Sequence, residues 1–501
     1  MLSPRLIAAL SIVGTLIVLV VATQMTGFAG IVAPLALVGA VLLCAKPMLL
    51  LLAFWGFTVM VPVLELLVSP SMVKLLEHGL SLYILALVTA TGILKRRSLL
   101  DAKPFNVLLA TLIGAMAISG VANAVPAKSL AYFALTYLKH IWVFSFVLFF
   151  AGSRRGRLLF WGLLGTALLQ VVFNLAFLAG INPLPHMLGR AGVDQAIGTF
   201  GGCSQVSYFM LAAMFLLFAY TRVAKVLRRK IAAYAAWITA LLQFAFAYAL
   251  HSYPLLFLGL AVQHALCLRQ HLQRTLRFLG QTLLLAVVLL IFVRKETIFH
   301  DHYSVFSTRI WRTSAESALG GAKMDSYREV FLKGHRHLRY PLLGGGPGNY
   351  TSYVAQITGR PKAYLPHLLE LGVLSHLRRH TGSILQAPRS GFITLWGELG
   401  PLGCLAYWGM YIYAAIHVLR QLRRNAYSDF YQRICAEAFI PAMVVFIVLN
   451  TLRDALILAH LNSGLWIWAA AVWKPIAADE NDDSADDRTT HPAPPTPLEL
   501  Q

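Results

Sequence analysis

Apolar segments of about 18 to 24 residues recur along the chain, and each is long enough to cross a hydrocarbon layer of roughly 30 Å as a helix. Backbone polar groups in lipid must bond within their own segment, so a chain built of such segments resolves into spanning helices. The 501 residues are 58% hydrophobic and 13% charged, whereas roughly a quarter of a soluble domain is charged. Too few charges are present to cover a water-facing surface of this size. The sequence therefore reads as an all-α polytopic membrane protein. The first apolar run, Leu6 to Val21, follows Arg5 and lacks a small-x-small cleavage pattern ahead of a soluble domain, so it is expected to be the first span.

Five cysteines (Cys44, Cys203, Cys267, Cys404 and Cys435) lie far apart with no CxxC pair, which argues against a disulfide framework or a structural zinc site. The net charge of +21 would point to nucleic acid in a soluble protein. Here the basic residues gather in short loops between spans, where they set orientation, and no nucleic-acid partner is expected. The clusters are Lys95–Arg97, Arg154–Arg157, Arg222–Lys230, Arg269–Arg277 and Arg420–Arg424. All fall on one side if the N-terminus is cytoplasmic and spans lie at about 5–23, 28–45, 47–68, 73–94, 105–124, 129–151, 157–180, 204–221, 231–250, 253–268, 277–293, 392–417, 432–450 and 454–474.

The pattern predicts about 12–14 transmembrane helices in four regions: a bundle at 1–293, a large outer loop at 294–391, closing helices at 392–476, and an acidic tail at 477–501. The tail holds seven acidic residues, one Arg and several prolines and is expected to be disordered. Its pair Asp482 and Asp483 reads as solvated charge, and no metal site is expected. A shorter outer segment lies at 181–203. Inside the spans, Glu77 and His78 could pair with Lys139 and His140, as an ion pair or as a substrate contact. Arg453 and Asp454 fall near the outer end of the last two spans.

The outer loop breaks the charge pattern, with fourteen Lys or Arg against six Asp or Glu and seven histidines. Guanidinium groups are suited to phosphate oxygens and stay charged in partly desolvated sites. Two anions fit: lipid-linked diphosphates and ordinary lipid headgroups. Within the loop, Tyr340 to Tyr350 reads YPLLGGGPGNY, a tight turn open to a structural or a ligand-binding role. It lacks the Gly-Lys-Ser/Thr ending of a nucleotide P-loop.

Three pieces in order carry a resemblance: Gly189-Arg190 followed by Gly198 to Ser207; Ser326-Tyr327-Arg328 leading to Pro341 through Tyr350; and Leu395-Trp396-Gly397-Glu398-Leu399-Gly400-Pro401-Leu402-Gly403. Over residues 180–420 the chain resembles the O-antigen ligase and Wzy-type polysaccharide polymerase superfamily. That resemblance implies a GT-C-like fold with a large periplasmic loop in a bacterial inner membrane. It also implies metal- and cofactor-independent inverting transfer of a glycan from undecaprenyl diphosphate. Arg190 and Arg328 would hold the diphosphate and stabilise charge as it departs. Arg309, Arg312, Arg336 and Arg339, with Gly346, Gly348, Asn349 and Glu398, would complete the substrate site. The family's ligases place a His-Asn pair nine residues before the glutamate, and its His is a candidate base; here Arg389 and Ser390 stand there. Arginine does not accept a proton near neutral pH, so His380 and His376 are the nearest imidazoles and Glu370 the nearest upstream carboxylate. The departure favours an exopolysaccharide or O-antigen polymerase over an O-antigen ligase. A lipid-linked glycan transporter and a non-catalytic partner in polysaccharide export stand as alternatives.

Overall fold

The computed structural model describes residues 47–67, 70–94, 102–152, 154–178, 198–200, 203–246, 252–266, 338–350 and 390–476. The single positions 280, 284, 331, 352, 354 and 355 are described too, and 453, 454 and 457 are excepted. The predicted spans at 5–23 and 28–45, most of that at 277–293, most of the outer loop and the acidic tail lie outside the described residues.

The described residues form α-helices and no strand. In chain order these are α1 (Pro47–Leu67), α2 (Pro70–Leu94), α3 (Lys103–Ala122), α4 (Ala127–Tyr137), α5 (Lys139–Phe150), α6 (Arg155–Leu178), α7 (Cys203–Val223), α8 (Leu227–Phe246), α9 (Ser252–Ala265), α10 (Gly391–Arg423), α11 (Phe430–Leu452) and α12 (Ala459–Ala471). Among the described residues, seven helices are long and apolar enough to cross a membrane, and eight if α4 and α5 form one bent span. The chain is a multi-pass helical membrane protein.

Helices α7 and α11 form the centre, each with 78% of its apolar window buried, against 33–39% for α1, α2, α3 and α6. They pack on each other, on α6, α8 and α9, and through α10 on α3. Helix α6 turns Trp161, Leu168, Val172 and Leu175 outward. Their helical spacing makes an apolar stripe suited to lipid rather than to water.

Contacts between helix ends sort the bundle into two faces. At one face Arg155 donates to the Lys474 carbonyl. Arg222 pairs with Glu437 at 3.2 Å, and Tyr427 Oη donates to the Val472 carbonyl at 2.6 Å. The described basic clusters meet here, in keeping with the charge pattern. Asp429 caps α11 on this face through the Gln432 amide, at 2.6 Å. Burial raises its carboxyl pKa above the usual value, and the Gln432 and Tyr431 amides oppose that rise. The opposite face carries the α3–α4 turn, the start of α10 and the 338–350 loop.

Four predicted spans differ in form, the one at 392–417 by a break at Gly400. The segment expected as one helix at 129–151 is two helices, α4 and α5, bent by 49° at Leu138. No Pro or Gly marks the break. An Ile141 N–H bond to the Leu138 carbonyl at 2.9 Å tightens the turn, and Tyr407 Oη donates to the Tyr137 carbonyl at 3.2 Å. The last span begins at Ala459 rather than 454, because Asn450 Oδ1 accepts the Ala455 N–H at 3.0 Å and Asn462 Nδ2 donates to the Leu456 carbonyl at 3.0 Å. These side chains hold the approach outside the helix. The span expected at 253–268 is the 14-residue α9.

Lys139, at the break, pairs with Glu77 of α2, and both side chains are almost fully buried. The next residue, His140, shares a hydrogen bond of 2.7 Å with Ser463 of α12. Removing one member of a buried pair strands the other charge, at a cost of about 3–5 kcal/mol. Lys139→Ala is therefore expected to lower the thermal midpoint of the detergent-solubilised protein sharply. The double variant K139M/E77L should recover most of that loss, and an unchanged midpoint in K139A would show that the pair carries no weight.

Candidate functional site

Helix α10 does not run straight from Gly391 to Arg423. Gly400 has φ 67° and ψ −176°, a left-handed conformation that side chains disfavour, and Pro401 has no N–H to donate. The carbonyls of Gly397 and Glu398 thus lose their helical partners. Both are taken by the glycine turn: Gly345 N–H reaches the Gly397 carbonyl at 2.7 Å and Gly346 N–H reaches the Glu398 carbonyl at 3.0 Å.

The Glu398 side chain completes the dock. It is fully buried and accepts backbone N–H groups from Gly348, from Asn349 at 3.1 Å, from Tyr350 at 3.0 Å and from Ser352 at 2.9 Å. Donors converging on both oxygens suit a carboxylate, which only accepts. The turn reaches this position through positive φ at Gly344, Gly346 and Gly348. On its far side α3 supplies two side chains: Ser119 Oγ donates to the Leu343 carbonyl at 2.5 Å, and Asn123 Nδ2 donates to the Gly344 carbonyl at 3.2 Å. The Tyr350 ring lies so close to Gly397 that a Cβ there would overlap it. Burial, and secondarily the Glu398 charge, push the Tyr350 phenol well above its ordinary pKa.

Ser390 caps α10. Its Oγ accepts from the Phe392 amide at 3.1 Å and the Ile393 amide at 3.4 Å, and donates to the Asn450 carbonyl at 2.9 Å. This residue therefore fixes the start of α10 against α11, one residue beyond Arg389. The segment after Arg190 is docked as well: Gly198 N–H bonds Asn174 Oδ1 at 2.9 Å, and Thr199 exchanges two bonds with Gln170 at 2.6 and 2.8 Å. Phe200 stacks on His460 with centroids 4.3 Å apart.

Of the sequence-derived site residues, Gly346, Gly348, Asn349 and Glu398 come together as one buried unit. The backbone N–H groups of Gly346, Gly348 and Asn349 are engaged with Glu398. Arg339 is exposed beside the turn, with its guanidinium 5.3 Å from the Tyr340 ring centroid. Arg190, Arg309, Arg312, Arg328, Arg336, His380 and Arg389 lie outside the described residues, as do His376 and Glu370. Sequence reasoning passed over Ser119 and Asn123. Their i, i+4 spacing near the end of an apolar span puts both on one helical face and was the available signal. Lys128, exposed at the start of α4 on the same face of the bundle, was missed too.

Comparison with known proteins finds no family model that matches the chain and no matching curated protein.

Glu398→Gln would turn an NH2 group toward converging N–H donors, and each buried group left unsatisfied costs about 1–3 kcal/mol. A large fall in folded yield and thermal midpoint is expected. Gly397→Ala should do the same through the Tyr350 ring, whereas Gly56→Ala, with nothing within 4 Å of the added carbon, should change stability by about 0.5 kcal/mol at most. Wild-type stability in E398Q would show that the carboxylate does not hold the turn.

Proposed function

We propose that the protein is a metal-independent, inverting glycosyltransferase with a GT-C-like fold. On this reading it polymerises glycan carried on undecaprenyl diphosphate at the periplasmic face of a bacterial inner membrane. The observation that carries this reading is the union of the glycine turn with the Leu395–Gly403 segment into one buried unit. These are two of the three pieces on which the resemblance to the O-antigen ligase and Wzy-type polymerase superfamily rests. They lie on the face of the bundle opposite the described basic clusters, which by charge bias is the outer face.

In the proposed reaction an acceptor hydroxyl oxygen attacks the anomeric carbon of the donor glycan from the side opposite the diphosphate. A new carbon–oxygen bond forms, and the bond to the diphosphate breaks with its electron pair staying on the phosphate oxygen. Arg328 and Arg190 have the role of holding that diphosphate, because fixed cations stabilise charge as it develops. The docked turn supplies a rigid end-point for the loop that carries Arg328. The acceptor proton goes to solvent or to an imidazole such as His380, since Arg389 cannot take it.

A lipid-linked glycan transporter is the second reading, favoured by the break between α4 and α5 with its buried Lys139–Glu77 pair. Discontinuous helices and intramembrane charges recur in transporters.

The test is deletion of the gene followed by complementation with wild type, Arg328→Ala or Arg190→Ala. A polymerase predicts short chains and accumulated single repeat units on lipid for the variants, with activity down at least about 100-fold, the scale of losing one electrostatic catalytic contact. Full complementation by both variants at normal protein levels would overturn the proposed site. Intact chains held on the cytoplasmic side would establish transport instead.

A further inference from the structure

The basic face of the bundle and the acidic end of the chain are joined at one point. Residues up to Ile476 are pinned to that face: Ser428 Oγ donates to the Ile476 carbonyl at 2.9 Å, and the Ile476 N–H reaches Gln432 Oε1 at 3.0 Å. Gln432 Nε2 also bonds the carbonyls of Ala471 at 2.9 Å and Lys474 at 2.8 Å. Ile476, the last described residue, therefore lies among the basic loops, whichever way the protein is oriented in its membrane.

The surface it enters is strongly cationic. Lys103, Arg157, Lys225, Arg228, Arg423 and Arg424 are exposed there, at the ends of four helices. The acids described on this face are already engaged: Asp429 caps α11 at 2.6 Å, and Glu437 lies between Arg222 at 3.2 Å and Arg433 at 3.5 Å. The next eleven residues, 477–487, carry six acids (Asp479, Glu480, Asp482, Asp483, Asp486 and Asp487) and no base.

We infer that the acidic segment 479–487 docks on the basic face of its own bundle and covers the cations at the ends of α3, α7, α8 and α10. Reach allows it: eleven extended residues span up to about 36–40 Å, and neighbouring helix axes are about 8–10 Å apart. Tethering favours it over a partner in solution, because a short linker gives an effective concentration in the millimolar range. Anionic lipid headgroups are the competing occupant of the same surface. The inference is independent of the proposed glycosyltransferase activity.

The experiment uses the full chain in nanodiscs of phosphatidylcholine, with and without phosphatidylglycerol. A water-soluble carbodiimide joins carboxylates to lysine amines in contact, and mass spectrometry maps the products. Amide links from Asp482, Asp483, Asp486 or Asp487 to Lys225 and Lys103 are expected in both lipid compositions. They should fall at least about fivefold in roughly 0.5 M salt, where the screening length is about 4 Å. The same loss is expected in the tail variant D482K/D483K, which leaves every packed residue untouched. Three outcomes would overturn the inference: no such links, links mainly to Lys128 on the opposite face, or links lost when phosphatidylglycerol is present. A mixture of isotope-labelled and unlabelled protein reads out contacts between copies, and links found only between copies would overturn it too.

Discussion

A single carboxylate organises one face of this bundle. Glu398 sits where α10 is broken by Gly400 and Pro401, and the break itself creates part of its surroundings by releasing the carbonyls of Gly397 and Glu398. Unsatisfied backbone groups at the edge of a membrane are costly. The glycine turn removes that cost with its own N–H groups, two to the freed carbonyls and four to the side-chain oxygens. Helix α3 closes the arrangement by donating from Ser119 and Asn123 to the carbonyls the turn leaves behind. Break, turn and cap are one hydrogen-bonding problem with one solution, and each part would be unfavourable alone.

Seen this way, the Leu-x-x-Glu-x-Gly-Pro sequence and the Gly-Gly-Gly-Pro-Gly-Asn sequence are the two halves of a joint. Ser390 sets where α10 starts, Gly400 sets where it bends, and the nine residues between them present Glu398 at a fixed height. Residues outside this joint, chiefly arginines and histidines of the basic loop, carry the proposed chemistry. The joint gives that loop a rigid origin.

The seven long apolar helices among the described residues were legible because hydropathy over about 18 residues is a strong, local signal. The span at 392–417 reads as one unbroken helix, although Gly400-Pro401 carries the signal of the break that the structure shows. The bend at Leu138 was not legible: its cause is a pair of contacts from other helices, Tyr407 to the Tyr137 carbonyl and Glu77 to Lys139. No property of Tyr137-Leu138-Lys139 alone announces it. The late start of α12 was hidden for the same reason, because Asn450 and Asn462 act on it from elsewhere in the fold. At the site, the sequence put Gly346, Gly348, Asn349 and Glu398 in one group but left open whether they faced a ligand or each other. That choice depends on pairings across 48 to 50 positions, which a linear motif does not encode.

The Ser119 hydrogen bond to Leu343 joins residues 224 positions apart. For a chain threaded into a membrane from its N-terminus, this separation has a temporal meaning. Helix α3 is inserted early, the turn is made later, and α10 follows last. The joint cannot close until all three are present, so closure of the turn onto Glu398 reports that assembly of this face of the bundle is complete.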